Sequence, residues 1–205
     1  MPRASNELRV LSLAQREHVL RARDLAPLGI SREVLRRLEA TGKLERRARG
    51  LYALSNAARG EQETLALTSV RVPGGVICLL SALRFHELTT QNPTEVWLAI
   101  DRRARAPIVR DLPLHFVRFS GRALTAGIER HKVDGVAVPV YCPAKTVADC
   151  FKYRGKIGID VAIEALQEVW RSRRSSVDEL SKYAAICRVS NVMRPYLEAI
   201  TIRGR

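Results

Sequence analysis

LRRLEATGKLERRARGLYAL, residues 35–54, decides how the N-terminal part of this 205-residue chain is read. The stretch reads as the end of a helix, a glycine stop and a β-hairpin. Five arginines and one lysine stand in it against two glutamates. A solvated surface needs charge, but not charge of one sign.

Working upstream, Ser31 is a good N-cap, since its hydroxyl can accept from an orphan amide of the first turn. The helix it opens runs to about Thr41, with Gly42 beyond its end. Val34, Leu35 and Leu38 fall on one face. At 100° per residue Arg32, Glu33, Arg36 and Ala40 point the other way, with Arg37 on the flank. Leu28-Gly29-Ile30 supplies a tight turn before that helix, and Ala22–Pro27 a short helix before the turn, with Leu25 inward. Val19–Leu20 reads as a minimal strand. Residues 6–16 form an amphipathic first helix through Leu8, Leu11, Leu13 and Ala14. Downstream, Leu44–Arg47 and Leu51–Leu54 are strand-like around an Ala48-Arg49-Gly50 loop.

Helix, turn, helix and hairpin is the order of a winged helix-turn-helix, whose second helix lies in the DNA major groove and leads with its N-terminal residues. On that reading Ser31, Arg32, Arg36 and Arg37 face the groove, and Arg46, Arg47 and Arg49 line a wing beside it. The plainer alternative is a small helical domain with a solvated basic helix.

The charge of the whole chain agrees with a polyanionic partner: the formal net charge is +14. Residues 1–60 hold thirteen Lys/Arg against six Asp/Glu, and residues 61–205 hold twenty-two against fifteen. The excess is therefore more than twice as dense in the first part. Aromatic residues are 5% of the chain, too few for a reading built on base stacking.

The rest of the chain reads as a second, α+β domain over residues 61–205, after a winged helix-turn-helix domain over 1–60. Helices are expected over 61–70, 81–88, 144–153 and 159–171, the last with a stripe of Ile159, Ile163, Leu166 and Trp170. Further helical stretches cover 177–185 and 192–200. Val76–Leu80 is a buried run. Strands are expected over 95–100, 114–119 and 135–141, forming a small, mostly antiparallel sheet. Pro139 suits a strand end or an edge.

Several sharper chemistries find little support. The cysteines Cys78, Cys142, Cys150 and Cys187 have no CxxC pair and no histidine clustering, which points to buried reduced thiols and no metal site. Glu95 and Asp101 bracket a strand without the nearby lysine of a metal-dependent nuclease motif, and no cofactor is implied. Asp149 lies near Lys145 and Lys152, and Asp149 with Lys152, three apart on a helix, reads as an ordinary surface pair. Neither Cys142 nor Cys150 has a histidine at a predictable spacing to act as its base. His86 reads as a helix-end residue. Arg102 to Lys132 carries eight basic and two acidic residues and suits either DNA or an acidic protein surface. The N-terminus has no signal-peptide pattern, and the uncharged run Val72 to Leu83 is twelve residues, short of the roughly 18 a membrane span requires. A soluble, cytoplasmic protein is expected.

The opening stretch, together with CLLSALRFHELTTQNPTEVWLAID (78–101) and PAKTVADCFKYRGKIGIDVAIEAL (143–166), resembles the AbiEi family of antitoxins. The resemblance runs over about residues 8–200. It implies a winged-helix transcriptional regulator that binds operator DNA and represses its own operon. It also implies a second domain that counters an AbiEii-type nucleotidyltransferase toxin, and no catalysis. One departure is Arg21, where the family often has a polar cap. Two other readings stand beside it: a winged-helix transcription factor without a toxin partner, and a metal-dependent nuclease.

Overall fold

The computed structural model describes residues 5–48, 50–57 and 61–203. It divides into two compact units, Met1–Pro73 with His131–Val138, and Gly74–Arg130 with Pro139–Arg205.

The first unit opens with helix α1 (Asn6–Glu17), whose N-cap Ser5 accepts from the Leu8 amide. Its buried residues are Val10 and Ala14, one helical turn apart, while Leu8 is 61% exposed. Of the expected face, Ala14 is buried and Leu11 and Leu13 pack against the core, while Leu8 points outward and Val10 is buried instead. Strand β1 (Leu20–Arg21) leads into a 3-10 segment, Ala22–Leu28, with Leu25 buried. Gly29 ends that segment at φ +68°, a left-handed conformation glycine adopts without a Cβ penalty.

Ser31 then caps helix α2 (Arg32–Ala40), accepting from the Glu33 amide at 3.2 Å. Val34, Leu35 and Leu38 are its buried face. Strands β2 (Leu44–Ala48) and β3 (Leu51–Leu54) form the hairpin, and the antiparallel sheet has the order β1-β3-β2. The β2–β3 register shifts between Arg46 and Ala48, so Arg47 occupies a bulge. Leu25, Ile30, Leu35, Leu38, Leu44 and Tyr52 pack with Val10 and Ala14 as one core.

Helix α3 (Glu61–Arg71) completes this unit and carries its boundary past residue 60. The physical tie is Arg47, whose Nε lies 3.3 Å from Glu63 Oε1 with both side chains under 10% exposed. Arg47 also donates to the Ala57 carbonyl at 2.7 Å.

The chain's larger sheet is five-stranded, of order β6-β5-β4-β8-β7, and belongs to the second unit except for residues 131–138 of β7, β8 and the turn between them, which are counted with the first. Its strands are β4 (Val76–Ile77), β5 (Val96–Asp101), β6 (Leu114–Phe119), β7 (Ile128–Val133) and β8 (Val136–Tyr141). The α+β architecture expected from the sequence is present. Within this sheet β4–β5 is antiparallel, while β5–β6 and β4–β8 are parallel. Pro139 lies in a strand with neighbours on both sides rather than at an edge. It is accommodated because β4 is two residues long and pairs with β8 only at Ile77–Val140.

Helices α4 (Leu79–Phe85), α5 (Arg122–Thr125), α6 (Pro143–Lys152), α7 (Arg154–Ile157), α8 (Ile159–Arg171), α9 (Val177–Cys187) and α10 (Ser190–Arg203) complete the chain. The inward face of α8 is Val161, Ala162, Ala165, Leu166 and Val169, and Ile159 is 37% exposed. Of the expected stripe only Leu166 is fully buried. Helix α6 starts on Pro143 at N1, where a missing amide costs nothing, and every residue from Ala144 to Phe151 is buried.

A helix enclosed on all sides has no solvent for its polar groups, so each must find a partner inside. Lys145 Nζ meets Asp149 Oδ2 at 2.5 Å, one turn along, with both side chains at 0% exposure. Asp149 thus pairs internally with Lys145, not at the surface with Lys152 as expected from the sequence. Cys187 donates to the other Asp149 oxygen at 3.2 Å, and the Lys145 ammonium stands 4.0 Å from the Tyr141 ring centre. Burial pushes the Asp149 carboxyl up, and the Lys145 ammonium and its hydrogen bond pull it back. His86, buried at the end of α4, donates from Nε2 to the Tyr141 carbonyl at 2.7 Å.

Cys78, Cys150 and Cys187 are buried free thiols. Burial pushes Cys78 and Cys150 well above their ordinary value of 9.0, and Cys187 up to about 12. An acid whose folded pKa is raised keeps its full stabilising effect below the unfolded value and loses it as pH climbs toward the folded one. Stability is therefore expected to fall once the pH passes 9.0, by about 1.4 kcal/mol per pH unit for each such thiol. Urea midpoints at pH 8, 9 and 10 measure it. An unchanged midpoint at pH 10 would contradict the burial of these groups.

Candidate nucleic-acid interface

The exposed side of α2 borders a cleft of about 810 Å³ in the first unit. Arg32 and Arg36 line it from α2, Arg46 from β2, and Arg21 and Arg23 from β1 and the 3-10 segment. The local sequence explains each placement. Arg32 and Arg36 are four residues apart and so share a face one turn long. Arg46 precedes the bulge at Arg47. Arg21 ends the short strand that pairs with β3.

Two carboxylates answer these five cations. Asp24 holds Arg21 at 2.9 Å and stands 3.8 Å from Arg23, and Glu33 lies 3.4 Å from Arg36. Arg21 is the only member of the pair with Asp24 that is substantially covered, its side chain being 19% exposed. Arg36 is 77% exposed, so its pairing with Glu33 is a solvated surface contact of little strength. Among the described residues no ion pair holds Arg32 or Arg46. The cleft therefore keeps a net positive field.

The residues singled out in the sequence divide into four groups. Ser31, Arg32, Arg36 and Arg46 stand at or around the cleft, Ser31 as the α2 cap. Arg37 turns aside to α1, where its guanidinium meets Glu7 at 3.2 Å. Arg47 does not line the outside of the wing: it is buried between Glu45 at 3.1 Å and Glu63. Strand alternation accounts for this, since adjacent residues cannot both face outward, and the bulge turns Arg47 toward α3. Arg49 lies outside the described residues.

Sequence reasoning missed Arg21 and Arg23. No local pattern marks them: Arg21 ends a two-residue strand, Arg23 lies in the 3-10 segment, and the β1–β3 pairing brings them to the cleft. Arg21 makes no side-chain cap on the 3-10 segment it precedes. It binds Asp24 instead, which is how the chain manages without the polar cap the resemblance would place there.

Residues 8–55 match the family described as "Transcriptional regulator, AbiEi antitoxin". The match spans α1 to the end of β3 and so contains every described arginine of the cleft. It is to a family of regulators, not of enzymes. The segments 78–101 and 143–166, which carried the resemblance in the rest of the chain, lie beyond it. No curated protein matches the sequence. The crystal structure of the RV2827C protein from Mycobacterium tuberculosis superposes with a TM-score of 0.56 at 16% identity, covering 89% of this chain and 72% of that one. At that identity the likeness speaks for the fold alone.

Catalytic chemistry finds no comparable constellation. Glu95 and Asp101 stand at opposite ends of β5, about 20 Å apart at the rise of an extended strand, too far to share a metal ion. Glu95 instead lies 3.3 Å from His115, and Asp101 accepts from the Arg103 amide at 2.7 Å. Among the described residues no group of three or more His, Cys, Asp or Glu is placed to hold a metal. No described helix is long and apolar enough to cross a membrane.

Proposed function

We propose that this chain is a DNA-binding transcriptional regulator that occupies the operator of its own operon. Helix α2 enters the major groove with Arg32 and Arg36 toward base edges, and Arg46 and Arg23 lie along the flanking phosphates. The observation that carries this reading is the cleft of five arginines beside α2, within the segment that matches a regulator family. Arginine's planar fork suits both targets, guanine edges and phosphate oxygens.

Phosphate contacts are expected to show in salt dependence. Each one removed makes the slope of log K against log[salt] shallower by about 0.9, so Arg23→Ala with Arg46→Ala should remove about 1.8. Arg47→Ala should leave the slope unchanged and lower stability instead, because Arg47 is buried against Glu63. A salt titration of the three proteins on one duplex decides the matter. A slope change in Arg47→Ala alone would reverse the assignment.

The same family match supports an antitoxin role, countering a nucleotidyltransferase toxin of the AbiEii type in the cytoplasm. Co-expression of the full chain with a nucleotidyltransferase encoded beside it should restore growth. Growth arrest that persists with the regulator present would limit the protein to regulation.

A further inference from the structure

The basic stretch Arg102 to Lys132 does not spread evenly over the second unit. Part of it converges with cations from other elements on a pocket of about 680 Å³. Arg122 of α5, Lys152 at the end of α6, Lys182 in the middle of α9 and Arg188 at the C-cap of α9 line it around Ser120 and Gly121. No carboxylate lines this pocket. A neighbouring recess shares Ser120 and Gly121 and adds Arg102 and Arg103.

The turn carrying those two arginines is held in place. The Arg102 amide donates to the Phe119 carbonyl at 2.7 Å, and the Arg103 amide to the Asp101 side chain at 2.7 Å. Arg118 reaches over to donate to the carbonyls of Asp101, at 3.1 Å, and Ala104. Among the described residues, no ion pair holds Arg102, Arg103, Arg122, Lys152, Lys182 or Arg188.

Helices α6 and α9 both end at this pocket, and cations at helix C-termini offset the negative end of the macrodipole. Two such ends amount to about one negative charge in total. Asp101 adds one more in the recess. Six cations exceed that, and dipole compensation needs only Lys152 and Arg188.

Arg188 is also held at φ 60°, ψ 43°, a left-handed C-cap position that glycine normally occupies. The chain accepts a disfavoured conformation there and gains a guanidinium at the pocket.

We propose that this pocket binds a short polyphosphate chain. Its volume falls within the range of small-ligand sites, and its concave shape gathers charge on a few phosphate groups. No aromatic side chain lines it to stack a base, so recognition rests on the phosphates and not on an attached nucleoside.

The test is isothermal titration of the full chain with inorganic triphosphate, a nucleoside triphosphate, sulfate and a non-cognate DNA duplex, all at one ionic strength. Triphosphate is expected to bind at least tenfold tighter than sulfate, and the nucleoside triphosphate within about threefold of it. Arg188→Gly, which favours the same backbone conformation, should weaken triphosphate binding at least tenfold without lowering the melting temperature. Lys152→Ala with Lys182→Ala should do the same to binding, and neither variant should alter duplex affinity. Triphosphate binding no tighter than sulfate would overturn the proposal, as would tenfold dependence on the nucleoside. Equal loss of duplex and triphosphate affinity in these variants would also overturn it, making the patch a nucleic-acid backbone contact.

Discussion

Replacing Arg32 and Arg36 together by alanine is expected to weaken operator binding by about 2–6 kcal/mol, at about 1–3 kcal/mol for each bidentate hydrogen-bond pair to a base that is removed. Both side chains are exposed on α2, and neither belongs to the Val34–Leu35–Leu38 face that holds the helix in its unit. The variant should therefore fold as the parent does, and its weaker binding reports recognition. Arg36→Ala alone distinguishes the kind of contact. If Arg36 reads a base, discrimination at that one position relaxes. If it touches phosphate, affinity falls evenly across sequences and the salt slope becomes shallower. A footprint and affinity unchanged in the double variant would remove α2 from the interface.

The second large effect is expected in the core of the other unit. Asp149→Ala leaves the Lys145 ammonium at 0% exposure without its carboxylate, and breaking a buried pair in this way costs about 3–5 kcal/mol. Removing both charges, as in Lys145→Met with Asp149→Leu, should cost much less, since no lone charge is left buried. Urea unfolding of the three proteins measures the difference. Equal destabilisation by the single and the double variant would show that the two groups do not act as a pair.

The two halves of the chain were legible to different depths for physical reasons. In the first unit, local signals agree with one another: the Ser31 cap, the Gly29 turn and the apolar face of α2 each point to one structure. Arg32, Arg36 and Arg46 could be placed by periodicity because they stand on regular elements. Arg47 could have been set apart from Arg46 by strand alternation alone, but its ion pair with Glu63 depends on where α3 packs. Arg21 and Arg23 belong to the same cleft through β1–β3 pairing, which joins distant parts of the chain and which no local pattern encodes.

In the second unit the limits are those of context. Lys145 and Asp149 at i, i+4 look the same in sequence on an exposed helix and on an enclosed one. What separates the cases is the wall of neighbours around α6, which tertiary packing supplies. The four-residue helices α5 and α7 have too few residues to show a period. The gathering of Arg122, Lys152, Lys182 and Arg188 joins residues up to sixty-six positions apart. Only the fold brings them together.

This protein is expected to distinguish its operator from other DNA through the cleft beside α2. Fluorescence anisotropy tests it most directly, with a labelled duplex from the region upstream of its own gene and a shuffled duplex of the same composition, both at physiological salt. The upstream duplex is expected to bind at least about 10³-fold more tightly, and the Arg32→Ala, Arg36→Ala protein to lose most of that ratio. Equal affinity for the two duplexes, or a ratio untouched by the double substitution, would contradict it.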